Sequence, residues 1–145
     1  MNDEGETGQR LLQPAAWPRP RGYANGIAAS GETIFLAGQI GWDAEGRFAD
    51  GLANQVGQAL TNIVALLSEA GAEPWHLVRL TWFVTDLRAY RDNQPAIGAA
   101  YRYVIGRHFP TMSVIGVSEL VEPAALVEIE ATAVLPPRIS KLLDT

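Results

Sequence analysis

The chain is 145 residues long, carries 11 Lys and Arg against 16 Asp and Glu for a net charge of −5, and contains no cysteine. One domain of that size buries roughly two thirds of the surface its unfolded chain exposes, and the missing thiols exclude disulfides, thiolate catalysis and cysteine-based metal centres. The acidic balance argues against nucleic acid, whose phosphates are held mainly by Lys and Arg, and His76 and His108 have no neighbours at ligand spacing, so neither metal nor cofactor is expected.

The N-terminal MNDEGETGQR is polar and acidic, without the apolar core of a signal peptide, and no apolar run reaches membrane-spanning length. A cytoplasmic protein with no membrane partner is the expectation. Residues 1–22 include QPAAWPRPRG, whose closely spaced prolines favour an extended arm that packs through Trp17. A short strand over 23–28, the turn SGE and the β-rich TIFLAGQIGW then read as a hairpin. After the loop DAEGRFADG, Leu52, Val56, Ala59, Leu60, Ile63, Val64 and Leu67 recur at helical spacing, which predicts an amphipathic helix closed by Gly71.

LVRLTWFVTDL, residues 77–87, alternates as a strand, and 91–106 reads as a second helix with Ile97, Ala100, Tyr101, Val104 and Ile105 on one face. RHFPT turns the chain, MSVIGVSEL is a strand, EPAAL a connector and VEIEATAVL the closing strand. The order is ββαβαββ, an α+β pattern with two helices on one face of a sheet. The domain occupies 23–136, with 137–145 as a C-terminal tail. In the closing strand Val127, Ile129 and Ala131 point to one side, and Glu128, Glu130 and Thr132 to the other. Two helices cover only one sheet face. The side bearing the glutamates therefore meets water, a cleft or another subunit, and apolar residues on both sides of neighbouring strands favour oligomerisation.

Tyr23, LAGQIG (36–41), TWFVTDL (81–87), HFPTMS and VEIEATAV occur in an order that resembles the RidA/YjgF family of enamine and imine deaminases, also described as endoribonuclease L-PSP-like, over about residues 22–135. The resemblance implies a chorismate-mutase-like fold with a six-stranded mixed sheet, and a homotrimer with a small-molecule cleft at each subunit interface. By the same resemblance Glu128 faces that cleft and positions a water as the catalytic group, and Glu130 lines the barrel or meets solvent. Tyr23 is either a packed aromatic or a ligand contact. Backbone groups near Gly38 and Gln39 border the cleft, and Trp42 either caps it or fills the interface.

One departure bears on chemistry. Where deaminating members read Pro-x-Arg-Ser, this chain reads Pro110, Thr111, Met112, Ser113, so the arginine that grips a substrate carboxylate is replaced by a side chain with no charge and no donor. A family asparagine on the second helix aligns with Gly98. Met112 and Val114 make the cleft less polar, and Arg21 and Arg19 on the arm, or Arg107 and His108 before the turn, are the replacement cations to consider. Three functions follow: hydrolysis or deamination of a small enamine or imine with Glu128 as acid–base group, metabolite binding without catalysis in the same cleft, or the RNA cleavage sometimes attached to the family, which the acidic charge disfavours.

Overall fold

The computed structural model describes residues 7–137. The strands are β1 (Gln9–Leu11), β2 (Ile27–Ala29), β3 (Glu32–Ile40), β4 (Leu77–Val84), β5 (Thr111–Gly116) and β6 (Val127–Leu135). The α-helices are α1 (Leu52–Glu69), α2 (Leu87–Asp92) and α3 (Gln94–Val104), with a 3-10 turn at Pro74–His76. This is an α+β fold, but the six strands form two sheets, a four-stranded one in the order β3-β6-β4-β5 and a two-stranded β1-β2 ribbon. β4 and β5 run parallel and the other pairs antiparallel.

The expected single six-stranded sheet is thus corrected, and the reason lies at Gly31. Its φ is +148° and a Cβ there would collide with the Leu135 carbonyl, so the chain crosses the end of β6 instead of folding back on β2. β3 then pairs with β6, starting at Glu32↔Leu135. β2 is left to the arm, where β1 joins it through Arg10↔Ala28. Trp17 on the arm is 58% exposed and lies outside the buried core, so the arm is not anchored through it as expected. Residues 1–6, and the expected tail apart from Pro137, lie outside the described residues.

The core forms as the periodicity requires. Val56, Ala59, Leu60, Ile63 and Leu67 on α1 are fully buried, and α1 packs on β3, β6 and α3. Gly71, at φ +71°, follows the helix end and the Ala72 N–H returns to the Leu67 carbonyl. The expected second helix is two helices. Asp86 accepts from the Ala89 N–H and starts α2 at Leu87, and Asn93 leaves helical geometry ahead of Pro95, which opens α3.

Candidate functional site

Sheet register decides which side chains share a face. Leu80, Trp82 and Val84 on β4 pair with Ala131, Ile129 and Val127 on β6, and all six are buried under the helices. On β5, Met112 pairs with Leu80 and Val114 with Trp82, so both point to the helix side. Glu128 pairs with Phe83 and Ile40 on the opposite, open face. The β5 residue in that row is Ile115, through Phe83. Within one chain, Met112 and Val114 therefore never share a surface with Glu128.

Glu128 sits over a defect in the ladder. Between Leu36↔Ala131 and Gln39↔Ile129 the strand β3 has one residue too many, a bulge formed by Ala37 and Gly38. A Cβ on Gly38 would overlap the Glu128 carboxylate and approach its Cδ and Cγ to 2.7 Å, so only glycine leaves room for this side chain. Glu128 is half-buried, and its carboxylate has no hydrogen-bond or ion-pair partner among the described residues. It lines a recess of about 220 Å³ with Gly38, Gln39 and Trp42 from one side, and Leu120, Val121 and Glu122 from the loop before β6. The Gln39 side chain turns back to the Ala37 carbonyl at 3.0 Å.

Two side-chain amides on α1, Gln55 buried and Asn62 half-buried, fix this recess. Gln55 donates to the Ala49 and Ala124 carbonyls at 3.2 and 3.1 Å and accepts from the Leu126 N–H at 2.8 Å. It thereby ties the loops on both sides of the carboxylate to one helix. Asn62 donates to the Ile40 and Trp42 carbonyls at 3.1 and 2.9 Å, which sets the end of β3. Trp42 itself rests on Phe48, with ring centroids 5.6 Å apart.

The second recess, about 560 Å³, opens between α3 and β5 on the helix side. It gathers Arg21, Tyr23, Met112, Val114 and Gly98, together with Arg102 of α3 and an aromatic wall. The arm is held at its rim because the Ala24 N–H donates to the Pro110 carbonyl at 3.0 Å. Tyr101 stacks on Phe109 at 5.4 Å and lies 6.5 Å from Trp82, and its hydroxyl donates to the His108 carbonyl at 2.6 Å. Burial pushes the Tyr101 and Tyr90 phenols up, so both stay protonated donors.

Arg19, Arg107 and His108 line a neighbouring recess that shares Tyr23 and Phe109 with this one. His108 is buried with Nε2 2.7 Å from the Leu77 carbonyl. A carbonyl only accepts, so Nε2 carries the proton. Burial is the main cause holding this imidazole below its ordinary 6.5. Three residues with a part in these recesses were missed in the sequence: Arg102, whose signal was a Gly98–Arg102 pair one helical turn apart, and Gln55 and Asn62, polar residues within the helical apolar pattern. Among the described residues no cluster of His, Asp or Glu could hold a metal, and no helix is long and apolar enough to cross a membrane.

The family description Endoribonuclease L-PSP matches residues 15–135. This chain belongs to that family, the RidA/YjgF family. It is 35% identical to a RutC family protein of Synechocystis over 136 residues, covering 88% of this chain and 97% of the relative. It is 29% identical to the 2-iminobutanoate/2-iminopropanoate deaminase of Dermatophagoides farinae, covering 88% and 97%. Among solved structures it is similar to the Rid family protein YyfB of Yersinia pestis, with TM-score 0.77, 34% identity and 88% and 98% of the two chains covered.

Proposed function

We propose that the protein hydrolyses a small imine or enamine in a cleft assembled from two copies of the chain, one supplying the Glu128 recess and the other the Arg102 recess. The observation that carries the reading is the Glu128 carboxylate laid over Gly38 without a partner of its own. The deaminase relatives in the family give the reaction class. Glu128 takes a proton from a water as the water oxygen bonds to the imine carbon. Returning that proton to nitrogen gives a carbinolamine, and transfer of its hydroxyl proton to nitrogen as the C–N bond breaks releases ammonia and leaves a carbonyl.

The division of labour supports the need for two copies. One recess presents carboxylates, Glu122 and Glu128, and the other presents arginines with no carboxylate in its wall. Glu128 on β6 and Met112 on β5 are two strand spacings, roughly 10 Å, apart and point to opposite faces. The open face also carries Phe35, 79% exposed, and Ile115, 44% exposed, apolar surface that a homotrimer would cover. In this reading Met112 marks a branch of the family without the strand arginine. A cytoplasmic location remains part of the proposal.

The test is Glu128→Gln, with ammonia release measured on imines generated in situ. Turnover should fall about a hundredfold or more, while the fold and oligomer persist. Unchanged turnover would refute the assignment, and binding without any turnover in the unmodified protein would establish the alternative, a metabolite-binding protein.

A further inference from the structure

The recess between α3 and β5 has a one-sided chemistry. Its charged groups are Arg21 and Arg102, and no Asp or Glu lines it, in a chain where acids outnumber bases 16 to 11. Among the described residues neither guanidinium forms an ion pair. The pairs present are those of Arg47 with Asp43 and Glu45. Trp82, also in the wall, has its indole N–H buried with no acceptor, a condition that burial makes costly. Every one of these groups asks for an acceptor, and an anion answers the arginines best.

Shape selects among anions. Tyr101 and Phe109 are nearly parallel, 13° apart, and Trp82 lies 25° from Tyr101, so the three rings stack on one another in the wall. Trp82 and Tyr101 are only 3% and 5% exposed and Phe109 is half-buried, so Phe109 offers most of the ring surface, and such a wall favours a ligand ring in offset or edge contact. Arg102 is placed to hold the charged end. It follows Gly98 by one helical turn, and a Cβ at 98 would stand 3.1 Å from its Nη1, so the guanidinium lies across the glycine on the wall of the recess. Met112 on the strand adds apolar floor where a charge would otherwise compete for the same carboxylate. A three- or four-carbon acid would leave most of the roughly 560 Å³ unfilled.

We propose that this recess binds an arylalkyl 2-oxo or 2-imino acid, with the carboxylate on Arg102 and the ring against Trp82, Tyr101 and Phe109. The inference rests on the reading above that the same site works on imines, and it names the substrate class. It also moves the carboxylate anchor from the strand to the helix. Small imino acids are then poor ligands because they cannot reach Arg102 and fill the aromatic wall together.

The experiment is calorimetric titration of the full chain with phenylpyruvate, 2-oxobutyrate and phenylacetamide. The second probe lacks the ring and the third the carboxylate. Phenylpyruvate should bind about tenfold tighter than either. Arg102→Leu should lose about tenfold for phenylpyruvate and little for phenylacetamide, and Arg102→Lys, which keeps the charge without the fork, should fall between. Equal affinities for the three probes, or an Arg102→Leu variant that still melts as the parent does and binds phenylpyruvate as tightly, would overturn the inference. Ammonia release from the aromatic imine on the same preparation separates the two readings. Binding with this pattern but no turnover removes hydrolysis and keeps the pocket assignment; Glu128-dependent turnover of small imines without phenylpyruvate binding does the reverse.

Discussion

The two recesses differ in how the chain builds them. The carboxylate recess depends on backbone irregularity: a bulge at Ala37–Gly38 makes the space into which Glu128 folds, and Gln55 and Asn62 hold the surrounding loops by their carbonyl and amide groups. The arginine recess depends on regular elements. One helix turn places Arg102 over Gly98, and one strand places Met112 and Val114 side by side on the same face. A catalytic carboxylate needs a fixed position, whereas a binding wall needs shape and sign, and each construction suits its task.

The largest effect should come from breaking the first construction alone. Gly38→Ala puts a methyl into the Glu128 carboxylate, so imine turnover should fall about a hundredfold, near the level of Glu128→Gln. Phenylpyruvate affinity, a property of the other recess, should stay within about threefold. Kinetics and calorimetry on one preparation check both halves, and parallel losses would mean that the recesses are not separate.

Next is Gln55→Ala. It strands the Leu126 N–H and the Ala49 and Ala124 carbonyls beneath the loops, and urea unfolding should show a loss of about 2 to 3 kcal/mol. A loss below about half a kilocalorie would show that these groups find water instead.

A smaller effect is expected in the arginine recess. Gly98→Ala removes a helix-interior glycine and should stabilise the fold by about 0.5 to 1 kcal/mol in thermal or urea unfolding. The new methyl meets Arg102 Nη1 at 3.1 Å, so the guanidinium must shift by a few tenths of an ångström. Phenylpyruvate should then bind a few-fold more weakly while the protein melts higher. Tighter binding would show that Gly98 does not set the anchor.

The smallest effect is general. His108 is held below its ordinary 6.5 in the folded chain, chiefly by burial. The unfolded chain therefore binds more protons between that lowered value and 6.5, and stability rises with pH through this window. On acidification from about pH 7 to pH 5 the melting point should fall, and His108→Gln should flatten the fall. An unchanged slope would place the acid sensitivity elsewhere, His76 being the other buried imidazole.

Much of the scaffold was legible in the sequence because it rests on period. The α1 stripe from Leu52 to Leu67 and the alternation of β6 are local patterns, and both appear in the fold. The break at Asn93 was written in Asp86 and Pro95 but was outweighed by the apolar spacing that runs through it. What the sequence could not supply is register. Nothing local says that β2 leaves β3 for the arm, or that Phe83 pairs with Ile115 and so turns Met112 away from Glu128. The site residues were named from a linear motif, and only the pairing of strands divides them between two surfaces. Arg102 is not legible from the motif, because the motif's own turn and the arm beside it carry other cations, Arg107, Arg19 and Arg21, while Arg102 lies on the helix across the recess.

In the proposed assembly the Glu128 recess of one copy meets the Arg102 recess of another. The chain has no cysteine, so Val121→Cys, on the rim of the first recess and 95% exposed, and Gln94→Cys, on the rim of the second, introduce the thiols of interest without background. A short bis-maleimide added to the double variant, or to a mixture of the two single variants after they have exchanged subunits, should give covalently linked chains on a denaturing gel, and neither single variant alone should do so. Single chains only, with both thiols shown to react with a mono-maleimide, would contradict the account.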